Sequence, residues 1–470
     1  MKSFKHILPG CLIVCLFCSI LMITGCRKFV ELDPPKDRLS SKVVFSDSAN
    51  ATAAVLGIYI DAISNKQYPD IFNGGLTIYT GLYTDELKMA GSTDQYETEF
   101  YLNNLNEKNS VIWTFWRSAY LTLYKANACI EGIEASGTLG QHVKDRLTGE
   151  TKFVRAFMYY NLHKVFGAVP LALTTDFATN ASMPRDPANK VLDQVVADLE
   201  AAKELLPATY PTEGRARPNK YTVIALLARI RLEMGNWEDA EKEASLLINN
   251  SDTYALENNI GNVFLRNSRE AIWQLLPPDG NQTVEGSRII PLNETTIPRY
   301  TLTDWLWNDF ENNDLRQQEW TRTNTIGNIP FNYPYKYKVR RGVAGQPAEP
   351  YTVFRLAETI LIRAEARARL GNVDGAKDDL DLVRARAGLD PTTANDQSSL
   401  IDAVLKERRI ELFCEFGHRF TDLKRTNRLD ALMNIITPQK GGAWKTEYTL
   451  LPLPYEQIEA NPFLTQNPGY

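Results

Sequence analysis

The chain has 470 residues, 44% of them hydrophobic and 23% charged, a balance that suits a large body with a substantial buried core and excludes a polytopic membrane protein or a disordered chain. With 52 Lys and Arg against 57 acids the formal charge is −5, and no basic stripe is present to neutralise phosphates, so no nucleic-acid partner is expected. The N-terminal leader carries two of the lysines and no acid, which puts the mature charge at about −7.

Lys2 and Lys5 precede an apolar run from Ile7 to Ile23 that is too short, and too broken by Pro9 and Gly10, to span a membrane. The run ends in Ile23-Thr24-Gly25-Cys26. A small-residue pair before cysteine, directly after a signal-peptide core, is a lipobox, so residues 1–25 read as a lipoprotein signal peptide and Cys26 as the lipidated N-terminus. Cys11, Cys15 and Cys18 then leave with the leader, and the Cys15–Cys18 spacing is no redox motif. Cys129 and Cys414 remain, both among apolar residues on predicted helices, and are expected as buried small hydrophobes. Residues 26–40, with paired prolines and mixed charge, read as a tether from lipid to body.

From 41 to 470 the pattern is that of one interleaved domain. A helix is predicted from about residue 47, capped by Asp47, and a polar, Tyr-rich connection follows from about 66 to 108. A long amphipathic helix begins near Val111 and carries Trp113 and Trp116 at core spacing; helices at 143–166, 189–206 and 219–250 form a helical block. Within YTVIALLARIRLEMGNWEDAEKEASLLIN (221–249), Ile224, Ala228, Gly235, Trp237 and Ala240 match Ile360, Ala364, Gly371, Val373 and Ala376 of the later stretch YTVFRLAETILIRAEARARLGNVDGAKDDLDLVRARAGL. This is the tetratricopeptide (TPR) pattern: Ala357, Leu361, Ala364 and Ala368 on one helix face Ala376, Leu380, Val383 and Ala387 on the next, and small residues let the two approach. Between the repeats, residues 251–350 break into short runs such as AIWQLL, RIIPL and NYPYKYKV, punctuated by Asn, Gly and Pro, which suits an irregular, loop-rich insertion with a few short strands.

The stretch ERRIELFCEFGHRFTDLKR (407–425) reads as a third helix continuing the TPR-like block of about 351–425. Glu407, Glu411, Glu415 and Asp422 share a stripe, with Arg408 three before Glu411 and Arg419 four after Glu415. That spacing suits ion pairs that buttress a neighbouring helix, so Arg408, Glu411, Glu415, Arg419 and Asp422 are expected to be structural.

Four segments in this order, KFVRAFMYYNLHKVFGAVPL (152–171), YTVFRLAETILIRAEARARLG (351–371), the 407–425 motif and the ending LLPLPYEQIEANPFLTQNPGY (450–470), closely resemble the SusD/RagB family of Bacteroidetes. The resemblance implies a mainly α fold, a TPR-like platform carrying a loop-rich ligand-binding half. It also implies a lipoprotein anchored in the outer membrane and facing the exterior, which binds oligomeric nutrient for a SusC-like TonB-dependent transporter. Glycan is the leading ligand class; peptide, as in the RagB branch, and a protein-only scaffold are the alternatives.

No Gly-x-Ser-x-Gly, His-Glu-x-x-His or phosphate-cradling glycine loop occurs, and beyond the leader there are three histidines, His142, His163 and His418. No enzyme activity and no cofactor or metal is expected. Sugar capture instead asks for aromatic rings to stack on pyranose faces and polar side chains to take hydroxyls. The loop-borne residues suited to this are Tyr96 and Tyr101 beside Asp85 and Asp94, with Tyr300, Trp320, Tyr333 and Trp444. The loop 277–299 contains no aromatic residue, which departs from the arc of rings that the family resemblance implies for a starch binder.

Overall fold

A computed structural model describes residues 41–63, 67–278, 280–346 and 349–470. The signal peptide, the tether and Cys26 lie outside the described residues. Helices of seven or more residues are numbered here in chain order. Helix α1 (Ser48–Ala62) starts where Asp47 accepts the backbone N–H groups of Ala49 and Asn50, the predicted cap.

The connection predicted at 66–108 is not a surface loop throughout. It contains α2 (Gly75–Tyr83), every residue of which is buried, then strand β1 (Leu87–Met89) and α3 (Gln95–Tyr101). A helix hidden on all sides has no polar face, so GLTIYTGLY shows no amphipathic period and escapes a reading based on one. Helices α4 (Ser110–Ala135), α5 (Gln141–Phe166), α6 (Ala188–Leu205), α7 (Lys220–Glu233) and α8 (Trp237–Ile248) follow at the expected places.

The insertion at 251–350 holds strands β2 (Ala271–Leu275), β3 (Tyr300–Leu302), β4 (Thr321–Ile326) and β5 (Ile329–Pro334). Strand β1 pairs antiparallel with β3, β4 with β5 as a hairpin, and β2 with β6 (Tyr351–Arg355). The first five residues of the predicted 351–371 helix are therefore strand: Tyr351, Val353 and Phe354 join the aromatic core around Trp273, and α9 begins at Leu356 and runs to Arg369.

Helix α10 (Val373–Arg386) returns along α9 after a turn at Gly371, whose φ of +81° replays the φ of +76° at Gly235 between α7 and α8. Ala228, Leu232, Ala240, Ala244, Ile362 and Ala366 form a small-residue seam joining α7, α8 and α9, the close approach that the alanines call for. Beyond it lie α11 (Gln397–Glu411), α12 (His418–Arg425) and α13 (Leu429–Lys440). The molecule is thus mainly helical, with TPR-like pairs and a few short strands and loops.

The predicted third helix is broken. Residues 412–417 form a turn between α11 and α12 in which Cys414, Phe416 and Gly417 have φ of +51°, +42° and +70°. Two of these carry side chains in a region that costs roughly 1–2 kcal/mol per residue. The turn is held because its N–H groups find acceptors on the buried segment: Cys414 N–H donates to Glu86 Oε1 (3.1 Å) and Phe416 N–H to Thr77 Oγ1 (3.1 Å). Cys129 and Cys414 are free and buried, as expected of small hydrophobes.

Candidate functional site

The site that best combines rings with polar side chains is a cleft of about 410 Å³ along one flank of α4. Asn109 sets the start of that helix. Its Oδ1 caps Val111 N–H (2.9 Å), while its Nδ2 donates to Tyr96 O (3.1 Å) and Glu99 Oε2 (2.7 Å), locking α3 to α4. One face of α4 sends Val111, Ile112, Phe115 and Ala119 into the core. The adjoining stripe, Ser110, Trp113, Thr114, Arg117, Ser118 and Leu121, lines the cleft at helical spacing, and Gln67 and Tyr68 line it from the preceding segment.

Tyr68 couples the cleft to α3. Its ring meets Tyr96 edge to face, with centroids 5.7 Å apart, and its hydroxyl lies 3.4 Å from Asp94 Oδ2. Asp94 Oδ1 meanwhile caps α3 through the N–H groups of Tyr96 and Glu97. Burial, then the Asp94 charge, raises the Tyr68 phenol above its usual range, so it stays a hydroxyl donor at neutral pH. Beneath this layer the buried Glu97 gathers Arg299 (2.8 Å), Tyr300 Oη (2.5 Å) and Ser92 Oγ (2.5 Å). Asp61 and Lys125 pair at the far rim. The cleft therefore offers two rings, Tyr68 and Trp113, between alcohols, an amide and an arginine on a rigid helical base.

Of the eight residues expected at the ligand, Asp94 and Tyr96 abut this cleft through Tyr68. Asp85, Tyr300 and Trp320 are buried and committed to other partners. Asp85 accepts both Arg419 nitrogens at 2.8 Å and sits 2.7 Å from Arg409; burial would raise its carboxyl, but the two guanidinium groups outweigh that and hold it at about 2. Tyr300 is strand β3 and supports Glu97. Trp320 is 0% exposed, donates its indole N–H to Ile260 O (3.1 Å) and has the Lys336 ammonium 4.6 Å from its ring centroid. Tyr101, Tyr333 and Trp444 do not line the cleft: Tyr101 lies under Lys440, Tyr333 packs on Tyr335 in the β4–β5 hairpin, and Trp444 donates to Asp430 (2.8 Å). Tyr68 and Trp113 line the cleft without a loop signal of the expected kind, since the spacing of Trp113 from Trp116 reads as core; Trp116 is buried but Trp113 is half-buried.

The charged motif is a buried network in which Asp422 and Arg425 pair at a helical offset (2.7 Å), while the other expected pairs give way to more distant partners. Arg408 pairs with Asp422 (2.8 Å) and not Glu411, and Arg419 with Asp85 and not Glu415. Glu411 receives Arg316 (3.0 Å), Arg355 (2.5 Å) and Arg386, while Glu415 receives Arg355 (2.8 Å) and Lys336 (2.5 Å). The turn at 412–417 brings α12 against α11 and so sets Asp422 beside Arg408, while Glu411, on the same helix as Arg408, is taken by the arginines of other elements. Among the described residues no group of His, Cys, Asp or Glu is placed to hold a metal ion.

Two family descriptions match this chain, "SusD family" over residues 299–470 and "Starch-binding associating with outer membrane" over residues 29–232. The chain belongs to the SusD/RagB family. Among curated SusD/RagB relatives, SusD-like protein P2 of Formosa agariphila is 26% identical over 96% of this chain and 98% of its own length. Among solved structures, surface glycan-binding protein A from Bacteroides uniformis superposes with a TM-score of 0.77 at 20% identity, covering 90% of this chain and 99% of that one. A laminarin-binding SusD-like protein gives 0.75 at 22% identity over 90% and 99%. At these identities the SusD/RagB fold is what the two structures share with the chain.

Proposed function

We propose that this protein captures oligosaccharide at the cell surface and passes it to a SusC-like TonB-dependent transporter, with Tyr68 and Trp113 as stacking platforms and Asp94 and Tyr96 holding Tyr68 in place. The observation that carries this reading is the cleft itself: two rings, Tyr68 and Trp113, line it together with Gln67, Ser110, Thr114, Arg117 and Ser118. Pyranose rings present an apolar face to an aromatic ring and hydroxyls at their edges, so such a wall suits a sugar chain. The glycan-binding and laminarin-binding relatives support the ligand class, and the outer-membrane family description supports the location. Lipid on Cys26, the first residue after the leader, supplies the anchor in this proposal, with the body outside the cell.

Binding of polysaccharides and of peptide pools to protein lacking the first 26 residues tests the proposal. Retention of at least one polysaccharide, weakened in Tyr68→Ala and in Trp113→Ala, is the expected result. Peptide binding with no polysaccharide retained would overturn it.

A further inference from the structure

The neighbouring flank of α4 borders a second groove, of about 380 Å³, closed by the segment 170–181 and by the C-terminal helix Tyr455–Ala460. Its wall is aromatic: Trp116 and Tyr120 lie 4.8 Å apart at 33°, while Tyr124 and Phe177 leave 54% and 82% of their surface exposed. No aspartate, glutamate, lysine, arginine or histidine lines it, in contrast to the first cleft with Asp61, Arg117 and Lys125.

The segment carrying Phe177 is fixed. Tyr120 donates to Pro170 O (2.9 Å), Tyr159 and Asn127 to Ala172 O (2.8 Å each), and Asn180 to Thr174 O (2.7 Å), while Glu131 accepts Thr175 N–H (2.8 Å) and its hydroxyl (2.5 Å). Side chains thus take the carbonyls of residues 170, 172 and 174, and the exposed Phe177 ring stands on an ordered base. At the groove's other end Gln457 Oε1 accepts the Trp116 indole N–H (3.2 Å), which fixes the amide orientation and turns its NH₂ into the available donor. Exposed rings on a rigid, uncharged wall with an amide donor at the edge are the complement of a neutral sugar chain, whose hydroxyls both give and accept hydrogen bonds.

From this geometry we infer a second binding groove for neutral saccharide, formed by Tyr124, Phe177 and Gln457 beside Trp116 and Tyr120. It rests on the glycan-capture reading and extends it: two sites on adjacent flanks of one helix would grip a polymer more tightly than a short oligomer, because the second contact is made within an already tethered chain. The test is electrophoresis of the purified full-length protein through gels containing soluble starch, laminarin, xylan or galactomannan, with hexasaccharides as competitors. Tyr124→Ala/Phe177→Ala should weaken retention by the retarding polysaccharide about tenfold or more, and Tyr68→Ala/Trp113→Ala should leave residual retention that the four-site variant loses. Both side chains of the first pair are exposed, so the fold should survive, and an unchanged melting temperature checks it. Unchanged retention in Tyr124→Ala/Phe177→Ala, with all retention lost in Tyr68→Ala/Trp113→Ala, would overturn the second groove and leave glycan capture standing. Wild-type protein retarded by none of the four removes both, and Phe177-dependent retention of peptide in place of polysaccharide also overturns the inference.

Discussion

Replacing Glu411 with alanine should destabilise the protein before it touches ligand binding. The carboxylate is 0% exposed, and burial would raise its pKa, but Arg386, Arg355 and Arg316 converge on it and hold it well below the usual range. Its removal leaves three guanidinium groups, each buried, with their acceptor gone. Glu270, Glu407, Asp314 and Glu415 still serve them, so the network is weakened and not abolished. Breaking a buried pair from one side costs about 3–5 kcal/mol. Unfolding entropy of roughly 2.1 cal/mol/K per residue over a body of this size converts 4 kcal/mol into a fall of about 4–5 °C in melting temperature. Differential scanning calorimetry at pH 7 reads the fall, and gel retention by polysaccharide reads binding on the same sample. An unchanged melting temperature with binding lost would show that the network is a site and not a scaffold.

Glu285 tests the opposite electrostatic case. Burial pushes its carboxyl up to about 7, against the opposing pull of the nearby Tyr351 and Thr77 hydroxyls. A folded-state value above the usual 4.5 means that stability falls as pH rises from 4.5 through 7; Glu285→Gln should match wild type at pH 4 and exceed it by about 3 kcal/mol at pH 8, and equal pH profiles in urea titrations would refute this. Tyr68→Ala and Trp113→Ala should each weaken polysaccharide binding about tenfold by calorimetry with melting unchanged, the loss of one stacking contact near 1.4 kcal/mol. Cys26→Ala should lose both palmitate label and outer-membrane fractionation; membrane association that persists without label would contradict lipid anchoring at this residue.

The repeats were legible because their chemistry is local. Gly235 and Gly371 close left-handed turns, and Ala228 and Ala240 meet where small side chains allow two helices to close up; both show as spacing. What was hidden depends on partners far along the chain. Helix α2 has no polar face, β6 becomes a strand only because Ala271–Leu275 lies beside it, and the turn at 412–417 exists because Glu86 and Thr77 wait for its N–H groups. None of these partners lies within a helical turn of the residue it redirects. For the ligand residues the same holds: Tyr300 and Trp320 sit in segments that read as loop, and long-range contacts with Glu97 and Ile260 draw them inside.

The transport reading adds a requirement on the complex. A cleft with two rings gives a free oligomer a modest hold, so capture has to be completed by a partner that closes over it, and a stable closure needs an interface of about 1,200–2,000 Å². The protein should then co-purify with a TonB-dependent barrel in mild detergent, and Tyr68→Ala/Trp113→Ala should weaken glycan capture without releasing the barrel, since two side chains supply a small part of an interface of that area. Tyr300, which forms the support under Glu97, is unsuited to this test because its loss would disturb α3 and the cleft together. If gentle extraction of membranes yields the protein with no barrel under any detergent tried, delivery to a transporter fails as an explanation while glycan binding is still judged by its own assay.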